Sequence, residues 1–198
     1  MVFQLLRLSI DISDNEFNSI YPADIELLAQ KHWTPVQVAK AASEFLANHP
    51  GRRVLDIGSG VGKFCMIGAA HTKGYFTGIE QRQHLVDLST KLSVRHNLNN
   101  VKFIHANITC IDFRDYHSFY FYNSFYENIQ PYGRIDDTVK LDIQLYDQYT
   151  LYMTEQLHRL PIGARLAGYY ASPTIIPQSF QLIDSLHYGR LTFWEKVF

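Results

Sequence analysis

The sequence predicts an α/β fold: a mostly parallel sheet with helices on both faces, a C-terminal antiparallel hairpin and a short helical N-terminal extension. Three observations carry this. A short apolar run, Val54, Leu55 and Ile57, leads straight into Gly58, Gly60 and Gly62, which reads as strand, tight turn, helix. A second strand-like run, Tyr75 to Glu80, ends 24 residues beyond Asp56, room for one crossover helix from Gly62 to about His71. Near the end, Phe180 to Tyr188 and Leu191 to Val197 flank Gly189-Arg190 as a hairpin.

The 198 residues suit one α/β domain with a modest extension. We expect residues 1–50 as the helical extension and 51–198 as the ligand-binding domain. With 18 basic and 19 acidic residues the net charge is -1, so no global basic field draws nucleic acid. Cys65 and Cys110 form no metal-ligand pattern and suit free thiols in a reducing compartment. The apolar run Val2 to Ile10 is interrupted by Arg7 and lacks a leader's cleavage site, and no stretch is long enough to span a membrane. The expectation is a cytoplasmic protein with no metal and no membrane partner.

Along the chain, Ser13-Asp14-Asn15-Glu16 has the form of a capping box for a short helix. Ile25, Leu27, Leu28 and Ala29 suggest a helical piece after Pro22, ending near Trp33, which reads as packing core. Thr34-Pro35 reads as an N-cap and first helical position, opening a helix to about Asn48 with Val38, Ala41, Ala42 and Phe45 on one stripe. Pro50-Gly51 stops it before the first strand.

Two ligand classes use such a glycine turn, and spacing separates them. The dinucleotide pattern Gly-x-Gly-x-x-Gly puts its third glycine where this chain has Lys63. Instead the order is Asp-x-Gly-x-Gly-x-Gly, with Asp56 placed to repel a pyrophosphate and attract an ammonium group. Asp56-Ile57-Gly58-Ser59-Gly60-Val61-Gly62 resembles the first motif of the class I S-adenosylmethionine-dependent methyltransferases, which have a Rossmann-like, seven-stranded sheet. In that family the turn cradles the methionine part of the cofactor, and an acid such as Glu80, followed here by Gln81, accepts hydrogen bonds from the ribose hydroxyls. An aromatic-Thr-Pro helix like the one from Trp33 recurs beside the cofactor in several of these enzymes and forms part of a lid.

Gln83 to Leu98 is amphipathic and ends at Asn97-Leu98-Asn99-Asn100, a second crossover helix, and Val101 to Ala106 is a third strand. The next pair is Asn107-Ile108. The resemblance assigns the polar residue to the adenine amino group and the apolar one to the ring, although the family more often has an acid at the first position.

Phe119 to Tyr122 is expected as the fourth strand, beside the first, with Asn123-Ser124-Phe125-Tyr126 at its carboxyl end where an acceptor must arrive. Amino-directed DNA methyltransferases carry Asn/Asp-Pro-Pro-aromatic here, and both prolines are absent. Asn123-Ser124-Phe125, taken with Ile57 to Gly62, looks closer to the non-SET histone-lysine methyltransferases. Pro131 to Asp137 is a loop with turn residues, long enough for a substrate-side lid. Leu141 to Leu160 resumes a helix with Leu145, Tyr149, Tyr152, Met153 and Leu157 at core spacing, and Arg165 to Ala171 is a fifth strand.

The resemblance implies direct in-line methyl transfer from S-adenosylmethionine. Cofactor-binding candidates are Asp56, Gly58, Ser59, Gly60, Gly62, Glu80, Gln81, Asn107, Ile108 and Asn123. Catalytic candidates are Asn123, with Tyr126 and Glu127 to orient or deprotonate the acceptor. A protein side chain such as lysine ranks first as acceptor, a small molecule second and nucleic acid last. A noncatalytic S-adenosylmethionine-binding protein and, last, an oxidoreductase are the rivals from other classes.

Overall fold

The computed structural model describes residues 1–130 and 132–198, apart from the side chains of Gln30 and Lys31. Pro131, expected to open the 131–137 loop, lies outside the described residues. The chain runs α1 (Val2–Arg7), α2 (Asp14–Asn18), α3 (Ala23–Glu26), α4 (Ala29–His32), α5 (Val36–Leu46), β1 (Arg53–Ile57), α6 (Lys63–His71) and β2 (Tyr75–Glu80). It continues through α7 (Gln83–Arg95), β3 (Val101–His105), β4 (Ser118–Phe121), α8 (Ile143–His158), β5 (Arg165–Tyr169), β6 (Phe180–Leu186) and β7 (Leu191–Lys196). The sheet has seven strands in the order β3-β2-β1-β4-β5-β7-β6. β1 pairs in parallel with β2 and β4, while β7 runs antiparallel to β5 and β6. This is the Rossmann-like methyltransferase fold, and the expected terminal hairpin is what makes the last strands antiparallel. Among the described residues, no helix is long and apolar enough to cross a membrane.

Alternation along β1 divides the core. Val54 joins Phe64, Phe76, Leu85 and the helices of residues 1–47 on one face, whereas Leu55 and Ile57 join Phe119, Tyr149, Met153 and Leu157 on the other. Both faces of β1 are therefore buried, as parallel sheets require. Helix α6 is buried along nearly its whole length, because the N-terminal helices cover the side turned away from the sheet.

The N-terminal helices are locked to the glycine turn by one buried cation. Lys63 Nζ donates to Asp14 Oδ1 (2.5 Å) and Asn18 Oδ1 (2.8 Å), and stands 5.6 Å from the centre of the Phe17 ring and 5.8 Å from that of Trp33. The capping box at Ser13 and Glu16 forms as its spacing predicts. The expected Thr34 cap does not form. Asp14 Oδ1 accepts from Val36 N (3.0 Å) and so caps α5 from outside its own segment, while the Thr34 hydroxyl meets Tyr120 OH at 3.0 Å. The buried stripe of α5 is also turned from the expected one: Ala39, Ser43 and Leu46 join Val38 and Ala42 in the core, and Ala41 and Phe45 are only partly buried. Because Asp14 both caps α5 and neutralises Lys63, Asp14→Ala is expected to cost about 2 kcal/mol of stability, read as a lower urea midpoint. An unchanged midpoint would mean that water replaces both contacts.

Candidate active site

The glycine turn between β1 and α6 takes its shape from three left-handed glycines, at φ 75° for Gly58, 53° for Gly60 and 75° for Gly62. Their reasons differ. A Cβ on Gly58 would lie 2.5 Å from Ser124 Cβ, so that glycine lets the turn after β4 close onto the turn after β1. A Cβ on Gly62 would meet the Phe103 ring at 2.5 Å, which makes Gly62 a packing position. Gly60 has open space around it, and its N–H donates to Glu80 Oε2 at 3.0 Å.

These turns open onto a cavity of about 430 Å³ at the carboxyl ends of the strands. That volume is within the usual range for small-molecule sites. Asp56, Gly58, Ser59, Gly60, Glu80, Gln81 and Ile108 all line it, as do Asn123, Tyr126 and Glu127 from the opposite wall. Asn107 and Gly62 do not. Asn107 Oδ1 accepts from Thr109 N and Thr109 Oγ1, and its amide nitrogen donates to Tyr149 OH (2.7 Å) and Gln81 Oε1 (3.2 Å). The expected adenine contact therefore has no free acceptor in this arrangement, because Asn107 instead caps the short turn Ile108–Cys110.

Asp56 and Glu80 are only 3 % and 6 % exposed. Burial pushes the Asp56 carboxyl up to about 7; a hydrogen bond from the Cys65 thiol, at 3.4 Å, opposes this and the nearby Glu80 adds to it. Burial also raises Glu80, against the N–H groups of Arg82 and Gly60 and the Arg82 charge. Two inward carboxyls whose charged forms are disfavoured by burial favour a ligand carrying positive charge and hydroxyl donors.

The acceptor-side wall is aromatic and backbone-strained. Asn123 sits at φ 43° just past β4, and Tyr170 at φ 52° just past β5; both line the cavity. Non-glycine residues held left-handed at adjacent strand ends are a recurrent mark of functional sites. Ser124 Oγ donates to Ile57 O, which fixes Asn123 over the glycine turn. Tyr122 lies 4.8 Å from Tyr169 and 6.2 Å from Tyr170, ring centre to ring centre, and Tyr126 is 47 % exposed at the mouth. Glu127 is engaged: one oxygen accepts from Arg82 at 2.8 Å and the other from Ile135 N at 2.7 Å.

Two further segments line the cavity: Leu28, His32, Trp33 and Thr34 from the N-terminal side, and Tyr132, Gly133, Ile135, Val139, Lys140 and Leu141 from the other. They meet where His32 Nε2 lies 2.9 Å from Gly133 O. Trp33, expected as packing core, is buried against Tyr21 and lines the cavity as well. Sequence reasoning passed over Lys63, Cys65 and Arg82 as site residues. The one available signal was a charged or polar residue close to each motif, and it carries no information about burial.

Residues 48–127 match a protein-family model described as a methyltransferase domain. Comparison with curated proteins gives no match. Among solved structures, the chain is similar to TrmN from Thermus thermophilus, at 18% identity and TM-score 0.61 over 87% of this chain and 52% of that one. It therefore spans about half the length of that protein. An RNA methyltransferase from Salinibacter ruber, solved with S-adenosyl-L-homocysteine, matches at 18% identity and TM-score 0.56 over 83% of this chain and 93% of that one. An S-adenosylmethionine-dependent O-methyltransferase from Thermotoga maritima matches at 16% identity and TM-score 0.57, covering 89% and 72%. At these identities the likeness is one of fold.

Proposed function

We propose that this protein is an S-adenosylmethionine-dependent methyltransferase whose acceptor is an amine of a protein side chain, such as lysine. The observation that carries the reading is a single cavity with Asp56 and Glu80 on one wall and the Asn123–Tyr126 turn on the other. Glu80 is positioned for the ribose hydroxyls, the glycine turn for the methionine part, and Ile108 for an apolar face of adenine. The sulfonium already activates the methyl group, so the protein's work is alignment and exclusion of water. Bound there, S-adenosylmethionine would supply an electrophilic methyl group, and the Asn123–Tyr126 turn would align the acceptor nitrogen for in-line transfer, with S-adenosylhomocysteine as the leaving product. A lysine must first lose its proton to solvent, which an aromatic wall of Tyr122, Tyr126 and Tyr170 favours by desolvation while still accommodating the methylated product. Of the two residues expected beside Asn123, Tyr126 is free at the mouth, whereas Glu127 is held by Arg82. We read residues 1–50 as the helical extension, 51–198 as the cofactor-binding domain, and the cytoplasm as its compartment.

A small-molecule acceptor is the second reading, favoured by the bridge from His32 to Gly133 that narrows the opening. Methyl-labelled S-adenosylmethionine, the purified protein and extract from its source, separated by fraction, decide between them. Protease-sensitive label supports the protein acceptor; label confined to small molecules or to nucleic acid would overturn it.

Asp56 gives the reading a pH signature. Its folded pKa is about 7, and the cationic cofactor favours the ionised form. Affinity for S-adenosylmethionine should therefore rise as pH climbs, by up to about tenfold between pH 6 and pH 8. S-adenosylhomocysteine, which carries the same ammonium group, should show a similar rise, and Asp56→Asn should flatten both profiles. A profile that stays equally steep in Asp56→Asn would contradict the assignment.

A further inference from the structure

Arg82 is 6 % exposed and meets carboxylates from three separate chain segments. Its guanidinium lies 3.7 Å from Glu80 at the end of β2, 2.8 Å from Glu127 beyond β4, and 3.0 Å from Asp136 in the covering segment. Each acid has a second hold. Glu80 takes the backbone N–H groups of Gly60 and Arg82. Glu127 takes Ile135 N, and Asp136 takes Thr138 N at 2.9 Å and Thr138 Oγ1 at 2.8 Å, with His84 Nε2 3.2 Å from its other oxygen. The acid facing the ribose and the two segments bounding the acceptor's entry thus share one buried cation.

We infer that Arg82 is a positioning residue that couples occupancy of the ribose end of the cavity at Glu80 to closure of the acceptor-side segment through Glu127 and Asp136. This rests on the cofactor reading above. A buried charge that loses one partner is strongly disfavoured, so Arg82 cannot readily release one segment while holding the others. The Glu80 carboxylate is steadied from the protein side by the Gly60 and Arg82 N–H groups. Ribose hydroxyls donating to it fix its orientation from the other side, which fixes the guanidinium and, through it, Glu127 and Asp136. The acceptor site then forms on the cofactor-loaded protein, which orders the reaction with cofactor first. Glu127 accordingly serves as a strut, not a base.

Arg134 and Lys140 lie in the covering segment with exposed side chains, so trypsin reads its opening directly. In the 198-residue chain, saturating S-adenosylhomocysteine should slow cleavage after these residues about tenfold, in the range of ordinary coupling between sites. Arg82→Gln should still bind the ligand yet lose that protection, and Arg82→Lys, which keeps the charge without the fork, should regain part of it. A merely structural role would lower stability but leave the ligand-induced protection intact. Protection persisting in Arg82→Gln, or absent in the unaltered protein despite ligand binding, overturns the inference. Should Arg82→Gln fail to fold or bind, Asp136→Asn is read by the same criterion, because it leaves the pairing of Glu80 with Arg82 in place. Failure of the unaltered protein to bind S-adenosylhomocysteine is a different result: it removes the cofactor reading, and the coupling falls with it.

Discussion

Gly58→Ala is expected to lower affinity for S-adenosylhomocysteine by about 100-fold, because it combines backbone strain with a collision that nothing flexible can relieve. Gly58 holds φ 75°, and the added methyl would sit 2.5 Å from Ser124 Cβ and 2.8 Å from Ser124 Oγ. Ser124 cannot swing aside cheaply, since its Oγ is bonded to Ile57 O. Relief requires the Asn123–Tyr126 turn to lift off the glycine turn, which spoils both walls of the cavity together. Gly163→Ala is the control. It has the same left-handed strain, at φ 84°, with nothing within 4 Å of the new Cβ, so it tests strain without collision. Calorimetric titration of both variants should show loss at position 58 and near-normal binding at 163; equal effects would mean that the approach of the two turns is unimportant to the site.

Asn123→Ala should reduce turnover by about 100-fold, the scale on which misplacing a reacting group acts, while affinity for S-adenosylhomocysteine falls far less. Asn123 is where β4 ends and the acceptor wall begins, and its side chain is aimed by a φ of 43° that asparagine tolerates better than most residues. Alanine there would remove the amide and add strain, so Asn123→Gly separates the two effects. If the amide orients the acceptor, both variants lose turnover alike. Recovery in Asn123→Gly would assign the effect to the backbone, and full turnover in Asn123→Ala with a verified acceptor would remove Asn123 from the mechanism.

The parts of this molecule that could be read from the sequence are those whose cause is local. Arg53 to His71 folds as strand, turn and helix because the apolar run and the glycines are contiguous. Tyr75–Glu80 falls within the bounds its composition sets, and the terminal hairpin follows from Gly189 between two apolar segments. Even there the turn hides something: His187 and Tyr188 are also left-handed, at φ 52° and 58°, which their residue types do not announce. What could not be read depends on partners distant in sequence. Thr34 looks like a helix cap until Tyr120, 86 positions away, takes its hydroxyl. Asn107 looks free until Tyr149 and Thr109 take its amide. Arg82, one residue past Gln81, looks like a solvated charge at a helix start, and only the folded chain brings Glu127 and Asp136 to it. Lys63 belongs to the same class, and its burial is set by Asp14 and Asn18 in the N-terminal extension.

Isothermal titration shows whether the cavity beside Asp56 and Glu80 takes S-adenosylmethionine. S-adenosylmethionine and S-adenosylhomocysteine should each bind one equivalent of the purified protein, NAD should not bind, and Asp56→Ala should lose S-adenosylmethionine while remaining folded. Binding of NAD in place of either S-adenosyl ligand, or affinity for S-adenosylmethionine unchanged by Asp56→Ala, would contradict the account.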